Sequence, residues 1–228
     1  MDLKKLKKLE GITWDLDGCL YEFQQHQVDE FIAGVGVIMA RLLNGQITEQ
    51  EAAALAHESF RKHGSAAHDF EVIHGVTIGQ WFDEVHEMFD EKALTFDATL
   101  KDRFNQLPGM SHVLNTQSSM SWGGRVLAHI GVREFFKAII DYAAANFQSK
   151  EEFSRSHELA VAAHGKPVDV LAMVEDKKTN LVIPKDMGKT TLLIHYGRAL
   201  ENPPSYIDFQ FATPRNALDA IIYAKNFG

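Results

Sequence analysis

The most informative stretch of the sequence for the fold is Gly11-Ile-Thr-Trp-Asp15-Leu-Asp17-Gly18. Residues 11–15 have the composition of a short buried strand, and Asp17-Gly18 then ends the strand pattern. Two carboxylates two residues apart therefore lie where a strand gives way to a loop. If the chain leaves the strand at Asp17, both groups can face the same cleft. The stretch predicts a buried first strand that ends in a candidate site.

The segment after this strand changes to a helical pattern, from about Val28 to Asn105. Thr48-Glu-Gln-Glu51 is a capping box, which predicts that a helix begins there. No β-rich run interrupts the segment, so we expect residues 22–105 to form an α-helical cap inserted after strand one. Apolar residues recur at helical spacing in segments 28–43, 48–62, 80–89 and 97–107.

After Pro108-Gly109 the pattern alternates between strands and helices. Such alternation implies crossover connections and a parallel sheet with helices on both faces. We therefore predict an α/β fold, with a Rossmann-like core built from residues 1–21 and 106–228. The predicted strands are 112–116, 136–141, 168–174, 190–195 and 207–211, and the predicted helices are 122–129, 151–163, 180–187 and 214–226.

Polar residues follow the predicted strands at the points where the strands end. Because ligands of open parallel sheets bind beyond the carboxyl ends of the strands, these residues are expected to converge on one edge. The converging groups are Asp15 and Asp17, Asn115-Thr116-Gln117-Ser118, Lys150, and Glu175-Asp176.

This set of residue types suits phosphoryl chemistry. Clustered carboxylates repel one another unless a cation neutralises them, and hard oxygen ligands suit Mg²⁺. A carboxylate left beside the metal can attack phosphorus, and a second can protonate the leaving oxygen and later deprotonate water. Thr116, Gln117 and Lys150 are the candidate phosphate-binding residues, since a hydroxyl and a fixed positive charge suit the oxygens of a transferred phosphoryl group.

The sequence resembles the haloacid dehalogenase-like hydrolase superfamily. Its four motifs are similar to Asp15-Leu-Asp17-Gly18-Cys19-Leu20-Tyr21, Thr116, Lys150, and Glu175-Asp176 with Asn180 downstream. The helical insertion resembles the α-helical cap of one subgroup. Within that subgroup, the sequence resembles pyrimidine 5′-nucleotidase-like members most closely. The resemblance lies in residues 60–65, 80–86 and 107–109.

The resemblance implies a role for each residue. Asp15 would be the nucleophile and a metal ligand, and Asp17 the general acid/base with its backbone carbonyl on Mg²⁺. Thr116 and Lys150 would hold the phosphate, while Asp176 and Glu175 would complete the metal site. The implied catalytic set is Asp15, Asp17, Thr116 and Lys150, and the implied metal set is Asp15, Asp17, Glu175 and Asp176.

The resemblance thus implies a Mg²⁺-dependent phosphatase that hydrolyses a small phosphomonoester, with nucleoside 5′-monophosphates as one class, through an aspartyl phosphate. A halide leaves without a proton whereas an alkoxide needs one, so Asp17 favours phosphoester hydrolysis over dehalogenation. Two alternatives stay open: a phosphomutase of the same superfamily, and a catalytically idle binding or regulatory protein on this fold.

Three departures from the motifs matter. Cys19 replaces the usual threonine, as a structural substitution or as a reactive thiol. Glu151 follows Lys150 where the family has proline. Lys166-Pro167 is a rival third motif, but Lys166 directly precedes the strand at 168, which places it at the opposite end of the sheet.

His57 and His63 are six apart, as are His68 and His74, and neither spacing fits a helical zinc pair. We interpret these histidines as surface or cap residues.

Composition limits the remaining possibilities. Hydrophobic residues make up 45% of the 228 and charged residues 24%, which excludes a disordered or collagen-like chain. A net charge of −8 disfavours binding to a nucleic-acid polymer, because the phosphate backbone is also negatively charged. A single cysteine fits the cytoplasm, and without about 18 consecutive apolar residues we expect no membrane span. The lysine-rich N-terminus predicts a solvated first turn or a frayed arm. We expect a small phosphorylated metabolite as partner and a monomer or homodimer.

Overall fold

A computed structural model describes residues 3–63 and 65–228. The chain divides into two compact units: a core unit, up to Glu22 and from Lys92 to Gly228, and a helical unit, Phe23–Glu91. The strands are β1 (Gly11–Trp14), β2 (Ser111–Asn115), β3 (Phe136–Ile140), β4 (Leu171–Glu175), β5 (Thr190–Ile194) and β6 (Phe209–Phe211). The helices are α1 (Leu3–Lys7), α2 (Gln25–Leu42), α3 (Glu49–His63), α4 (His68–His74), α5 (Phe82–Glu87), α6 (Leu100–Asn105), α7 (Met120–Ile130), α8 (Arg155–His164), α9 (Val182–Asp186) and α10 (Pro214–Phe227).

The core unit is built on a six-stranded, all-parallel sheet. Its strand order is β3-β2-β1-β4-β5-β6, so β1 lies between β2 and β4. Every residue of β1, β2, β4 and β5 is buried, as expected for strands covered on both faces. The α/β, Rossmann-like fold predicted from the sequence is confirmed.

The helical unit lies between β1 and β2 in the sequence, and residues 23–63 and 65–91 contain no strand. The capping box is confirmed, because the Glu51 carboxylate accepts from Thr48 N at 2.8 Å and the Thr48 hydroxyl accepts from Glu51 N at 3.2 Å. Helices α2 and α3 approach closely at Gly36, where a Cβ would lie 2.6 Å from the Ala53 Cα.

Several boundaries differ from the prediction. The helical unit ends at Glu91 rather than at residue 105, because α6 packs against α10 in the core unit. Residues 168–170 form a 3₁₀ turn, so β4 begins only at Leu171. The N-terminus forms a helical turn and not a frayed arm, because α1 packs against α10 through the fully buried Leu6 while Lys4 and Lys7 stay exposed. Helix α4 was not predicted at all.

No helix in the described part of the chain combines the length and the apolar character that a membrane crossing requires.

Candidate active site

The carboxyl ends of three adjacent strands form the site. The register pairs Trp14 of β1 with Leu114 and Val174, so the residues that follow lie at one level of the sheet. Asp15 directly follows β1, Thr116 follows β2, and Glu175 ends β4. The backbone N–H of Asp15 donates to the carbonyl of Val174 at 2.9 Å. Parallel pairing therefore brings together groups that are 59 or more residues apart in the sequence.

Lys150 connects two of these strand ends. It lies in the loop between β3 and α8 and is only 3% exposed. Its ammonium contacts the Asp15 carboxylate and lies 2.5 Å from the Glu175 Oε1. His157 Nε2 hydrogen-bonds the Lys150 carbonyl at 2.9 Å and holds the loop in place. The rival Lys166 pairs instead with Glu10, at 2.9 Å. The structure thus brings Lys150, and not Lys166, to Asp15.

Three carboxylates form a cluster that could hold a metal ion. Asp15, Glu175 and Asp176 each place an oxygen within 4.8 Å of the others. Glu175 is also bound by the protein, because its oxygens accept from the Asn180 side chain at 2.7 Å and from the Lys177 N–H at 2.8 Å. Asp176 is exposed at the rim of the cluster. The donors are all hard oxygens, which is the ligand chemistry that Mg²⁺ takes.

The cluster carries more negative than positive charge. Burial and the neighbouring Glu175 raise the pKa of Asp15 well above its usual range. Although part of the Asp176 residue is exposed, desolvation of its carboxylate by the surrounding protein and the negative charge of Glu175 raise its pKa to about 7. Burial would lower the pKa of Lys150, but Asp15 and Glu175 outweigh it and raise the pKa. One ammonium therefore faces three carboxylates, an imbalance that a bound cation would relieve.

Asp17 is held apart from this cluster by three donors. Its carboxylate accepts from the Tyr21 hydroxyl, from the Ser118 hydroxyl at 2.5 Å and from the Trp122 indole at 3.0 Å. Ser118 belongs to the polar run after β2 that was expected to converge on this edge, and Tyr21 is the last residue of the first motif. Trp122 was not among the predicted site residues. Metal ligation by the Asp17 backbone carbonyl stays a prediction.

Thr116 and Gln117 lie in the loop after β2. Thr116 is buried, and its hydroxyl accepts from the Ser118 N–H at 3.0 Å. The hydroxyl hydrogen of Thr116 is a separate donor that a ligand can use. Gln117 is exposed beside it. The structure places both residues at the predicted edge of the sheet, and phosphate binding by them stays a prediction.

Gly18 and Cys19 complete the turn after Asp17. Gly18 has φ +85°, and a Cβ there would lie 2.5 Å from the Asp176 Oδ2, so glycine is required for two reasons. Cys19 is fully buried, and its pKa is raised well above the usual range by burial and by the negative charge of Asp15. A buried, protonated thiol is inert, which favours the structural interpretation of Cys19 over the reactive one.

Solved structures share this architecture over nearly the whole chain. A phosphatase of the haloacid dehalogenase class from Thermococcus onnurineus covers 92% of this chain and 97% of its own, with TM-score 0.67 and 17% identity. CbbY from Rhodobacter sphaeroides, in complex with phosphate, covers 90% and 94%, with TM-score 0.64 and 14% identity. The chain has the haloacid dehalogenase-like fold. L-2-haloacid dehalogenase from Xanthobacter autotrophicus shares this fold too, with TM-score 0.58, 11% identity and coverage of 96% and 100%.

The fold implied by the sequence motifs is therefore confirmed, while the pyrimidine 5′-nucleotidase-like subgroup stays a prediction. No protein-family model and no curated protein sequence matches the chain. These neighbours include a phosphatase and a dehalogenase, so the fold alone does not define the chemistry of the site.

Proposed function

We propose that this protein is a Mg²⁺-dependent phosphatase that hydrolyses small phosphomonoesters, with nucleoside 5′-monophosphates as the first class to test. One observation carries the proposal. Asp15 lies at a strand end against the Lys150 ammonium, in a three-carboxylate cluster, and a second carboxylate follows two residues later. A nucleophile, a fixed cation, a metal-ligand set and an acid/base group are the parts that phosphoryl transfer through a phosphoenzyme requires.

The carboxylates of Asp15, Glu175 and Asp176 fit Mg²⁺ as a group of hard oxygen donors. Glu175 already accepts hydrogen bonds on both oxygens, so we assign direct ligation to Asp15 and Asp176 and a supporting role to Glu175. Bound Mg²⁺ would offset the carboxylate charge and stabilise the negative oxygens of the phosphoryl group.

The chain's own residues then perform two displacements. A carboxylate oxygen of Asp15 attacks phosphorus, the ester P–O bond breaks, and Asp17 gives a proton to the leaving oxygen. In the second step Asp17 takes a proton from water, the water oxygen attacks phosphorus, and the bond to Asp15 breaks. Inorganic phosphate leaves, and the carboxylate of Asp15 is restored. Lys150 and Thr116 orient and neutralise the phosphoryl oxygens in both steps.

The surroundings of Asp17 add a condition to this scheme. Tyr21, Ser118 and Trp122 together occupy both of its oxygens. To reach a leaving group, Asp17 must release at least one of these hydrogen bonds. We propose that substrate binding supplies this change, and that the helical unit acts as the cap that selects the alcohol part of the substrate.

The experiment is a phosphate-release assay on nucleoside monophosphates, sugar phosphates and p-nitrophenyl phosphate, with Mg²⁺ and with chelator. We expect Mg²⁺-dependent release, and a loss of at least about a thousandfold in Asp15→Asn. Asp208→Asn is the matched control, because the Asp208 side chain is only 6% exposed and pairs with Lys5 and Lys185 outside the site. It should keep its activity.

Undiminished release in Asp15→Asn, or full activity with chelator, would overturn the mechanism. Activity that requires a bisphosphate activator would favour a phosphomutase. Mg²⁺ binding with no release from any ester would replace the enzyme by an idle binding protein.

A further inference from the structure

The helical unit brings two histidines and an aspartate together where α3 gives way to α4. His63 is the last residue of α3, and His68 and Asp69 are the first two of α4. Each offers one ligand atom, and these atoms all lie within 4.8 Å of one another. His63 Nε2 is 3.3 Å from Asp69 Oδ1, and the two imidazole centroids are 4.1 Å apart.

We propose that His63, His68 and Asp69 form a second metal site, for Zn²⁺ or a similar borderline divalent cation. The donor set is the reason. Two imidazoles and a carboxylate suit Zn²⁺ and the later transition metals, whereas Mg²⁺ prefers oxygen ligands alone. The active-site cluster of Asp15, Glu175 and Asp176 offers oxygen alone. The two clusters therefore select different ions.

The geometry is close to what such an ion needs. With ligands at about 2.1 Å in a tetrahedron, donor atoms lie about 3.4 Å apart. The separation of 3.3 Å between His63 and Asp69 already matches this value. The wider separations, of up to 4.8 Å, shorten by rotation of the side chains.

The site is open to solvent. The His63 side chain is 37% exposed and that of Asp69 is 18% exposed, so an ion can enter without opening of the fold. Three protein ligands leave the fourth position to water, as in open zinc sites. Because His63 and His68 belong to different helices, a bound ion would fasten the end of α3 to the start of α4.

An ion pair alone does not account for the arrangement. The pair of His63 with Asp69 involves only one imidazole, whereas the His68 ring centroid lies 4.1 Å from that of His63. A metal ion binds both histidines in their neutral form and satisfies all three side chains together. His57 and His74, which lie on the same two helices, do not belong to the cluster.

The test is Zn²⁺ binding by the full-length, chelator-treated protein, measured in competition with a chromophoric chelator. Loss of a residue one shell beyond a metal ligand already weakens binding 10–100-fold, so His63→Gln/His68→Gln should lower affinity at this site by at least about a hundredfold. The matched control, His57→Gln/His74→Gln, should bind Zn²⁺ as the native chain does.

A second variant separates this site from the active site. The double variant Asp15→Asn/Asp176→Asn should still bind Zn²⁺ at the histidine site with the affinity of the native chain, while it loses phosphatase activity. The melting temperature of the native chain should rise with Zn²⁺, and that of His63→Gln/His68→Gln should not. Circular dichroism of the metal-free variants checks that each is folded. Equal Zn²⁺ affinity in His63→Gln/His68→Gln and its control would overturn the proposal.

Discussion

The two ends of the parallel sheet both bury ionisable side chains, but the free-energy cost of burying them is offset in different ways. At the carboxyl end, Lys150 lies between Asp15 and Glu175, and the compensation is by charge. At the amino end, histidines are buried beside hydroxyl and indole groups, and the compensation is by neutral hydrogen bonds. His164 bonds the Thr13 hydroxyl at 3.1 Å and the Ser111 hydroxyl at 2.9 Å.

The pKa directions follow this division. Burial and the nearby Lys189 lower the pKa of His164 to about 4. Burial and His164 lower the pKa of His112 to about 3. At the carboxyl end, by contrast, opposite charges raise the pKa of Lys150 against the effect of burial. The carboxyl end therefore holds a buried ion pair, whereas the lowered pKa values of these two histidines at the amino end favour their neutral forms.

The substitution with the largest expected effect on stability is Lys150→Met. It leaves Asp15 and Glu175 as buried carboxylates without their counter-charge, which should cost about 3–5 kcal/mol in the free energy of unfolding. Urea denaturation at neutral pH measures the loss. Lys166→Met is the control, because the exposed pair of Lys166 with Glu10 contributes at most about 1 kcal/mol. Equal losses in the two variants would contradict the charge compensation at the carboxyl end.

The second test concerns the amino end and uses His112→Asn. A histidine whose pKa is lowered on folding stabilises the protein above its unfolded value of about 6.5, and this stability is lost as the pH falls towards about 3. Between pH 7 and pH 5, native protein should lose about 2 kcal/mol more of unfolding free energy than His112→Asn. Denaturation curves at both pH values measure this difference.

Asparagine keeps an acceptor for the Trp14 indole, which donates to His112 Nδ1 at 3.1 Å. His57→Asn, at an exposed position on α3, should leave the pH dependence of the native protein unchanged. If His112→Asn and native protein lose stability in parallel on acidification, the neutral amino end is not the origin of the acid sensitivity.

Much of the carboxyl end could be predicted from the sequence because parallel pairing is a regular rule. Once β1, β2 and β4 are assigned, their ends must meet, and Asp15, Thr116 and Glu175 follow from that alone. The choice of Lys150 over Lys166 rested on the same rule, because a residue that precedes a strand lies at the other end of the sheet.

Contacts that depend on loop conformation could not be predicted. Trp122 reaches Asp17 across 105 residues, and no local pattern predicts this contact. Ser118 was expected at the same edge of the sheet, but its hydrogen bond to Asp17 depends on the loop after β2. The His63–His68 pair was not predicted because spacing along one helix does not apply to it: His63 belongs to α3 and His68 to α4. The predicted boundary at residue 105 differs from the observed one at Glu91 for a similar reason. Helical periodicity does not show that α6 packs on α10 and so belongs to the core unit.

The smallest test asks whether the carboxyl end is shaped for its acid cluster or merely tolerates it. Gly18 and Gly197 both have φ +85°, so alanine at either position should cost about 1–2 kcal/mol of stability. Only at Gly18 does the new Cβ meet a functional group, the Asp176 carboxylate at 2.5 Å, while at Gly197 nothing lies within 4 Å. Gly18→Ala should therefore lower phosphate release at least about tenfold by displacing Asp176, and Gly197→Ala should not. Steady-state rates at saturating Mg²⁺, beside urea denaturation of both variants, separate backbone strain from displacement of Asp176. Equal activities at equal stability would show that the position of Asp176 is not critical, which would contradict its assignment as a direct metal ligand.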